Sequence, residues 1–178
     1  MSEKGLKVGL VHVYTGDGKG KTTAALGLAL RACGHGLKVH MIQFMKGNID
    51  YGELKACESL PNFSIVQFGR SDFVDKEEPA KEDIEFAQQA LEYAKDVLQK
   101  GEPDIVILDE LNVAIDFKLV DLGEVINLID SKPEHIEIII TGRNAHEKII
   151  ERADYVTNME NIKHPYNRGQ KARNGIEH

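Results

Sequence analysis

The chain contains 178 residues, of which 42% are hydrophobic and 29% are charged, proportions that are ordinary for a globular domain. Its formal net charge of −7 argues against a dedicated nucleic-acid-binding protein, because such proteins concentrate lysine and arginine. No apolar run approaches the roughly 20 residues that span a bilayer, and the N-terminal residues lack the pattern of a secretory signal. We therefore expect a cytoplasmic protein that associates with neither membranes nor nucleic acids, with Cys33 and Cys57 reduced.

Apolar runs of strand length alternate with helical patterns along most of the chain. The first half predicts a strand at 8–14, a helix at 22–32, strands at 38–44 and 63–68, and a helix at 81–99. The second half predicts a strand at 105–108, a helix at 122–129, a strand at 136–140, a short helix at 146–152 and a weak strand at 155–157. This alternation indicates an α/β fold, with a mostly parallel twisted sheet of about five to six strands flanked by helices. We expect a single domain over residues 1–178, with 164–178 as an extended C-terminal tail.

The most specific motif follows the first predicted strand. A glycine-rich loop runs directly into the first predicted helix, as in a P-loop, and consists of Gly16, Asp17, Gly18, Lys19, Gly20, Lys21 and Thr22. Backbone N–H groups of such a loop bind phosphate oxygens, Lys21 adds a full positive charge, and the Thr22 hydroxyl is placed to bind magnesium. Thr15 stands where the standard pattern has its first glycine. The alternative interpretation is a glycine-rich turn without a ligand.

Two further motifs follow predicted strands. Asp109 and Glu110 come directly after the run 105–108, where P-loop proteins hold magnesium through a carboxylate, directly or through water. Glu110 suits either a general base or a further metal ligand. Arg143 follows the strand at 136–140 and would meet phosphate or ribose oxygens at the same edge of the sheet, unless it merely caps a surface loop. The motifs together predict a P-loop NTPase-like (RecA-like) fold, and they leave hydrolase, kinase and motor functions open.

Several separated segments resemble those of one family, the P-loop corrinoid adenosyltransferases. The run TGDGKGKTTAA at 15–25 resembles the TGNGKGKTTAA loop of that family. The resemblance continues through RACGHG at 31–36, QFMKG at 43–47, LDEL at 108–111, ITGR at 140–143, KH at 163–164 and the ending GxxAxxGIE at 169–177. It therefore spans residues 8–177, with the motifs in the order that the family has.

The resemblance implies transfer of the 5′-deoxyadenosyl group of ATP to cobalt(I) of a corrinoid, with release of intact triphosphate. It implies that residues 16–22, Arg143 and His164 bind ATP, and that magnesium is held by Thr22, Asp109 and Glu110, partly through water. Lys21 and Glu110 are the expected catalytic residues. Because cobalt(I) carries no proton to remove, Glu110 is better described as a magnesium or water ligand than as a base. The resemblance also implies a reduced flavin or flavoprotein as electron donor, and a homodimer.

Two departures from the family pattern concern the substrates. The family segment G-F-T-W, whose aromatic residues displace the lower corrinoid ligand, corresponds here to Gly69-Arg70-Ser71-Asp72-Phe73-Val74. We expect Phe73 to contact the corrinoid, and a buried core position is the alternative. Asp17 replaces the usual asparagine and would weaken ATP binding unless it faces solvent or a cation. The alternative functions are a generic P-loop ATPase or small-molecule kinase, and a non-catalytic ATP-binding module. The choice between cobalamin and cobinamide substrates, and between biosynthesis and salvage, stays open.

Overall fold

The computed structural model describes residues 5–47 and 51–177. Its strands are β1 (Val11–Thr15), β2 (Val39–Gln43), β3 (Phe63–Gln67), β4 (Ile105–Asp109), β5 (Glu137–Thr141) and β6 (Tyr155–Asn158). Its helices are α1 (Lys21–Gly34), α2 (Gly52–Cys57), α3 (Lys81–Lys100), α4 (Leu111–Asp116), α5 (Leu122–Asp130) and α6 (Glu147–Ile150), and a 3-10 helix follows at Pro165–Arg168. None of the helices in these two ranges combines the length and the apolar character that a membrane crossing requires.

The six strands form one sheet in the order β3-β2-β4-β5-β1-β6, and every pairing is parallel. Parallel strands need crossover connections, which the intervening helices supply. β5 lies between β1 and β4, so the carboxyl ends of these three strands lie side by side. The predicted α/β fold with its mostly parallel sheet is confirmed.

Helices cover both faces of the sheet. All five residues of β4 are buried, as the continuous apolar run predicts for a central parallel strand. Leu91 and Leu98 of α3 belong to a core on one face of the sheet, which includes Val106 of β4. Ala25 and Ala29 of α1 belong to a second core, which includes the next residue of that strand, Ile107. Burial of this apolar surface is the main favourable contribution to folding.

Three strands continue one residue beyond their apolar runs, and each continuation is polar. β1 ends at Thr15, β4 at Asp109 and β5 at Thr141, and all three residues are buried. The sheet register continues through these positions, since Asp109 is opposite Gln43 of β2. The carboxyl edge of the sheet therefore places buried polar side chains beside one another.

Some elements differ from the predictions. α2 and α4 were not predicted, because six residues give less than two helical turns and no periodic apolar stripe. β1 begins at Val11 rather than at Val8, whose side chain is exposed. The tail that we expect at 164–178 contains one 3-10 turn at Pro165–Arg168: proline fixes φ for the first turn, and His164 Nδ1 accepts a hydrogen bond from the backbone N–H of Tyr166 at 3.2 Å.

Candidate active site

The P-loop connects β1 to α1 at the carboxyl edge of the sheet. Gly16 has a φ of 94°, and a Cβ at this position would lie 2.5 Å from the carbonyl oxygen of Met159. The backbone N–H of Gly18 donates to the same carbonyl at 2.7 Å. The segment after β6 therefore packs against the backbone of the P-loop and holds its shape, and a side chain at residue 16 would prevent this contact.

The side chain of Lys21 folds back over the P-loop. Its Nζ donates hydrogen bonds to the carbonyl oxygens of Gly16 and Gly18, each at 2.7 Å, and the residue is only 8% exposed. Burial lowers the pKa of Lys21, and the negative charge of Glu110 partly opposes this effect. A buried ammonium beside a helix N-terminus favours binding of an anion at this position.

Asp109, at the end of β4, is fully buried and accepts hydrogen bonds on both carboxylate oxygens. Oδ1 accepts from the hydroxyl groups of Thr22 at 2.9 Å and Thr141 at 2.7 Å. Oδ2 accepts from Lys46 Nζ at 2.8 Å and from Gln43 Nε2 at 3.3 Å. Residues from α1, β2, β5 and the segment after β2 therefore fix the orientation of one carboxylate, as a buried charge requires.

Lys46 belongs to the site, although its motif predicted no role for it. Burial by itself lowers the pKa of Lys46, but the charge and hydrogen bond of Asp109 outweigh burial and raise it. The ammonium also lies 5.2 Å from the centroid of the Tyr51 ring. The sequence places Lys46 shortly after β2, but its contact with Asp109 follows from the pairing of β2 with β4, which the sequence does not predict.

Glu110 has an unusual backbone conformation for a residue other than glycine, with a φ of 63°. Its N–H donates to the Thr141 hydroxyl at 3.0 Å. Burial raises the pKa of Glu110, and the charge of Asp109 raises it further, against the opposing effect of Lys46 and Lys21. The left-handed backbone marks a strained position of the kind that is common at functional sites.

Thr22, Asp109 and Glu110 offer hydroxyl and carboxylate oxygens, which are the ligands that magnesium prefers. Among the residues described, no three His, Cys, Asp or Glu side chains form a metal cluster by themselves. Magnesium ordinarily uses one or two carboxylates and completes its coordination with water and substrate phosphates. The chemistry of these side chains therefore fits a magnesium ion that arrives with a phosphate ligand.

A cavity of about 550 Å³ lies beside the P-loop and brings most of the predicted site residues together. We call it the P-loop cavity; its lining includes Asp17, Gly18, Lys19, Gly20, Lys21, Thr22, Glu110, Arg143 and His164. Asp17 and Lys19 are exposed, so the carboxylate of Asp17 stays solvated. Glu177, in the tail, also lines the cavity and was not predicted to do so.

A second cavity, of about 700 Å³, adjoins the first. The residues that line both are Thr22, Thr23, Glu110 and Glu177. The second cavity has apolar walls at Leu26, Leu60 and Ile176. The end of the P-loop and the first residue after β4 therefore lie where two ligands can meet.

Comparison with known proteins identifies the relatives of this chain. The family model of the ATP:corrinoid adenosyltransferase BtuR/CobO/CobP matches residues 7–178. The chain belongs to this family. A corrinoid adenosyltransferase of Sinorhizobium is 38% identical over 99% of this chain and 84% of its own length. Corrinoid adenosyltransferases of Escherichia coli and Salmonella typhimurium are 37% and 36% identical, each over 96% of this chain and 86% of the relative.

The fold of this corrinoid adenosyltransferase family member also resembles a solved structure from outside the family. A KaiC-like protein of the archaeon Pyrococcus horikoshii aligns with a TM-score of 0.59 and 17% sequence identity, over 90% of this chain and 77% of the other. At this identity the likeness concerns the fold alone, and it confirms the predicted P-loop architecture.

Three predicted site residues do not line either cavity: Gly16, Asp109 and Phe73. Gly16 and Asp109 bind Lys21 and Thr22, which do line the P-loop cavity. Within residues 5–47 and 51–177, Phe73 makes no such contact. It lies on the segment between β3 and α3, and its side chain is fully exposed, at 103% of the reference area. The alternative that Phe73 is a buried core residue is therefore wrong. Phe73 lies in the segment that corresponds to G-F-T-W.

Proposed function

We propose that this protein transfers the 5′-deoxyadenosyl group of ATP to cobalt(I) of a corrinoid and releases triphosphate. The observation that carries the proposal is the contact between Thr22 and Asp109, which joins the P-loop to the carboxylate of β4 in a chain of this family. Neither motif alone distinguishes a transferase from a hydrolase. Their combination with near full-length similarity to corrinoid adenosyltransferases favours the transferase.

In the proposed reaction, the filled orbital of cobalt(I) attacks C5′ of the ribose. The cobalt–carbon bond forms as the bond between C5′ and the triphosphate oxygen breaks, and the triphosphate leaves with that electron pair. No proton is removed from the nucleophile, so the step needs no general base. It needs positive charge and hydrogen-bond donors at the departing oxygen.

The P-loop supplies these groups. We assign residues 16–22 to the triphosphate, with Lys21 exchanging its two carbonyl acceptors for phosphate oxygens. Arg143 and His164 line the same cavity and are assigned to ATP as well. Negative charge that accumulates on the triphosphate is thereby stabilised where the carbon–oxygen bond breaks.

We assign magnesium to Thr22, Asp109 and Glu110, partly through water. The ion would add Lewis-acid stabilisation of the leaving group. Asp109 supports the assignment because its four hydrogen bonds hold its carboxylate oriented beside Thr22 of the P-loop. Glu110 follows it directly and lines both cavities, which suits a ligand that acts through water.

The corrinoid is assigned to the surface that Phe73 presents. A flat apolar ring beside a macrocycle would exclude the lower axial ligand of cobalt, and four-coordinate cobalt(II) accepts an electron more readily. The complete exposure of Phe73 supports this assignment, because the side chain is available for contact with a large substrate.

The proposal also covers the electron donor, the oligomeric state and the cellular location. A reduced flavin or flavoprotein would donate the one electron that converts cobalt(II) to cobalt(I). A homodimer is supported by β6, an edge strand that leaves Tyr155 and Val156 exposed. A cytoplasmic location is supported by Cys33 and Cys57, which are both free.

The decisive experiment is product analysis. Magnesium, ATP and a chemically prereduced corrinoid should give a photolabile adenosylated corrinoid and inorganic triphosphate in equal amounts. A generic ATPase or kinase would instead give ADP. The appearance of ADP without a cobalt–carbon bond would reject the transferase, and the absence of any product would favour a non-catalytic ATP-binding module.

A further inference from the structure

The loop that carries Phe73, residues 69–80, is tied to the protein at both ends. At its beginning, Arg70 donates to Asp83 from Nε at 2.8 Å and from Nη2 at 2.9 Å. Asp83 is only 3% exposed and also accepts from the backbone N–H of Ala80 at 3.1 Å. This two-bond contact fixes the start of the loop to the first turn of α3.

The second anchor lies three residues beyond Phe73. Lys76 Nζ donates to Asp116 Oδ2 at 2.8 Å, and its ammonium lies 5.5 Å from the centroid of the Phe117 ring. Asp116 is the last residue of α4, the helix that begins directly after Glu110. Phe73 therefore lies between two anchored residues: Arg70, which binds α3, and Lys76, which binds α4.

The same carboxylate oxygen of Asp116 accepts a second hydrogen bond from the opposite side of the site. The donor is Nδ2 of Asn144, at 2.9 Å. Asn144 has a φ of 54° and directly follows Arg143, which we assign to ATP. Lys76, Asp116, Arg143 and Asn144 all line the P-loop cavity. One oxygen thus receives hydrogen bonds from the Phe73 loop and from the segment that carries Arg143.

We propose that Asp116 is a positioning residue that couples the nucleotide site to the Phe73 loop, by holding Lys76 and Asn144 on one carboxylate oxygen. The inference rests on the proposed function. When a phosphate engages Arg143, the neighbouring Asn144 becomes fixed, and Asp116 and Lys76 become fixed with it. The Phe73 loop is then ordered before the corrinoid arrives, so that ATP strengthens corrinoid binding through the protein, in addition to any direct contact between the two substrates.

A single exposed ion pair would couple the two segments only weakly. This cluster differs from such a pair because it combines an ion pair, an amide hydrogen bond and an ammonium above an aromatic ring. Asp116 is also partly shielded, with its side chain 22% exposed. The hydrogen bonds of Lys76 and Asn144 outweigh the effect of burial and lower the pKa of Asp116, so the carboxylate stays ionised.

The test is the binding of cobalt(II) corrinoid to the full-length protein, followed by absorbance in the absence of a reductant, so that no turnover occurs. In the unaltered protein, magnesium and ATP should lower the corrinoid Kd by about tenfold, within the range of ordinary coupling between two sites. Lys76→Ala and Asn144→Ala should each reduce this enhancement to less than about twofold. Lys76→Arg keeps the donor to Asp116 and should retain most of the enhancement.

The matched control is Lys81→Ala, which removes an exposed ion pair with Glu85 from the α3 end of the same loop and should leave the enhancement unchanged. Asp116→Ala should abolish the enhancement as well, but it also alters the end of α4. The two surface variants therefore decide the question, with thermal melting to verify their folding.

Retention of the full ATP enhancement by both Lys76→Ala and Asn144→Ala would overturn the positioning role. An unaltered protein that adenosylates prereduced corrinoid, but whose corrinoid Kd does not respond to ATP, would overturn the coupling and leave the proposed function standing. Failure to adenosylate prereduced corrinoid would instead overturn the proposed function.

Discussion

The carboxyl edge of the sheet around Asp109 and the Phe73 loop differ in how completely the protein's own contacts fix their side chains. At the carboxyl edge, Asp109 is fully buried and receives four hydrogen bonds from different parts of the chain. In the loop, Phe73 is fully exposed, and the neighbouring anchors lie at residues 70 and 76. The first region is preorganised for an anion, whereas the second presents a side chain that gains contacts only when a substrate arrives.

This difference matches what the two substrates require. A triphosphate leaving group is stabilised by groups that are fixed before charge develops, because their reorganisation would raise the barrier. A corrinoid is a large, flat and rather apolar molecule, and an exposed ring on an anchored loop can meet it without a preformed cavity. Variants in the first region should therefore reduce the chemical step, and variants in the second should change how the corrinoid is bound and reduced.

The largest effect is expected for Lys21→Ala. Loss of its ammonium removes a buried positive charge that we assign to the departing triphosphate, so kcat with prereduced corrinoid should fall by about a thousandfold. The rate of adenosylated product formation measures the effect. Lys19→Ala is the informative comparison, because this lysine is exposed on the same loop and its loss should be much less harmful. Unchanged turnover in Lys21→Ala would mean that the P-loop is not the active site.

A smaller effect, of about a hundredfold in magnesium affinity, is expected for Asp109→Asn. The amide keeps one acceptor for Thr22 and Thr141, but it removes the negative charge and directs an NH₂ group toward Lys46. The concentration of magnesium that gives half-maximal activity should rise, and excess magnesium should restore part of the rate. An unchanged magnesium dependence, with a lower kcat alone, would contradict the assignment of Asp109 to the metal.

How well the sequence predicts the site depends on whether its residues belong to local motifs. The P-loop and the pair Asp109 and Glu110 are contiguous in the chain and adjoin periodic apolar runs, so both their identity and their edge of the sheet could be predicted. Lys46 could not be assigned a role, because its partner lies 63 residues away and the contact depends on the β2–β4 pairing. The strand order that creates this pairing is a property of the whole fold.

The lack of a local motif also explains why the exposure of Phe73 and the contacts of Asp116 could not be predicted. Residues 69–80 have no periodicity, so the sequence does not show whether Phe73 is buried or exposed. α4 was missed because its six residues follow a strand directly, with the turn made by Glu110 in a left-handed conformation. Because the sequence predicts no helix at 111–116, it gives no position for Asp116 in the fold. The partners of Asp116, Lys76 and Asn144, are 40 and 28 residues away from it in the chain.

A selective effect is expected for Phe73→Ala. Loss of the ring should lower the rate from cobalt(II) corrinoid with a reductant by about tenfold, because a favourable aromatic contact is worth about 1.4 kcal/mol. The rate from prereduced cobalt(I) should change by less than about twofold, since the chemical step does not use the ring. Phe73→Tyr serves as the matched variant that keeps the aromatic surface. Equal losses from both cobalt states would exclude a role in reduction.

The smallest effect concerns stability at Glu110. Burial and the adjacent Asp109 raise the pKa of Glu110 above its ordinary value of 4.5. A raised carboxyl pKa contributes stability below the unfolded pKa, and this contribution is lost as the pH rises through the folded pKa. Ionisation of Glu110 as the pH rises therefore makes the folded chain less stable. Glu110→Gln should raise the Tm at pH 7 by about 2–4 °C, the shift expected for about 1 kcal/mol in a chain of this size.

The pH dependence of that gain distinguishes the charge of Glu110 from a packing effect. The difference in Tm between Glu110→Gln and the unaltered protein should shrink as the pH falls below the ordinary carboxyl pKa of 4.5. The activity of the variant at pH 7 should be reduced at every temperature. Glu85→Gln, on the exposed surface of α3, should show no such pattern apart from the loss of its pair with Lys81. A lower Tm for Glu110→Gln at pH 7 would mean that Lys21 and Lys46 stabilise the carboxylate more than burial and Asp109 destabilise it. A higher Tm together with lower activity would show that the protein retains a destabilising charge at the position where its substrates meet.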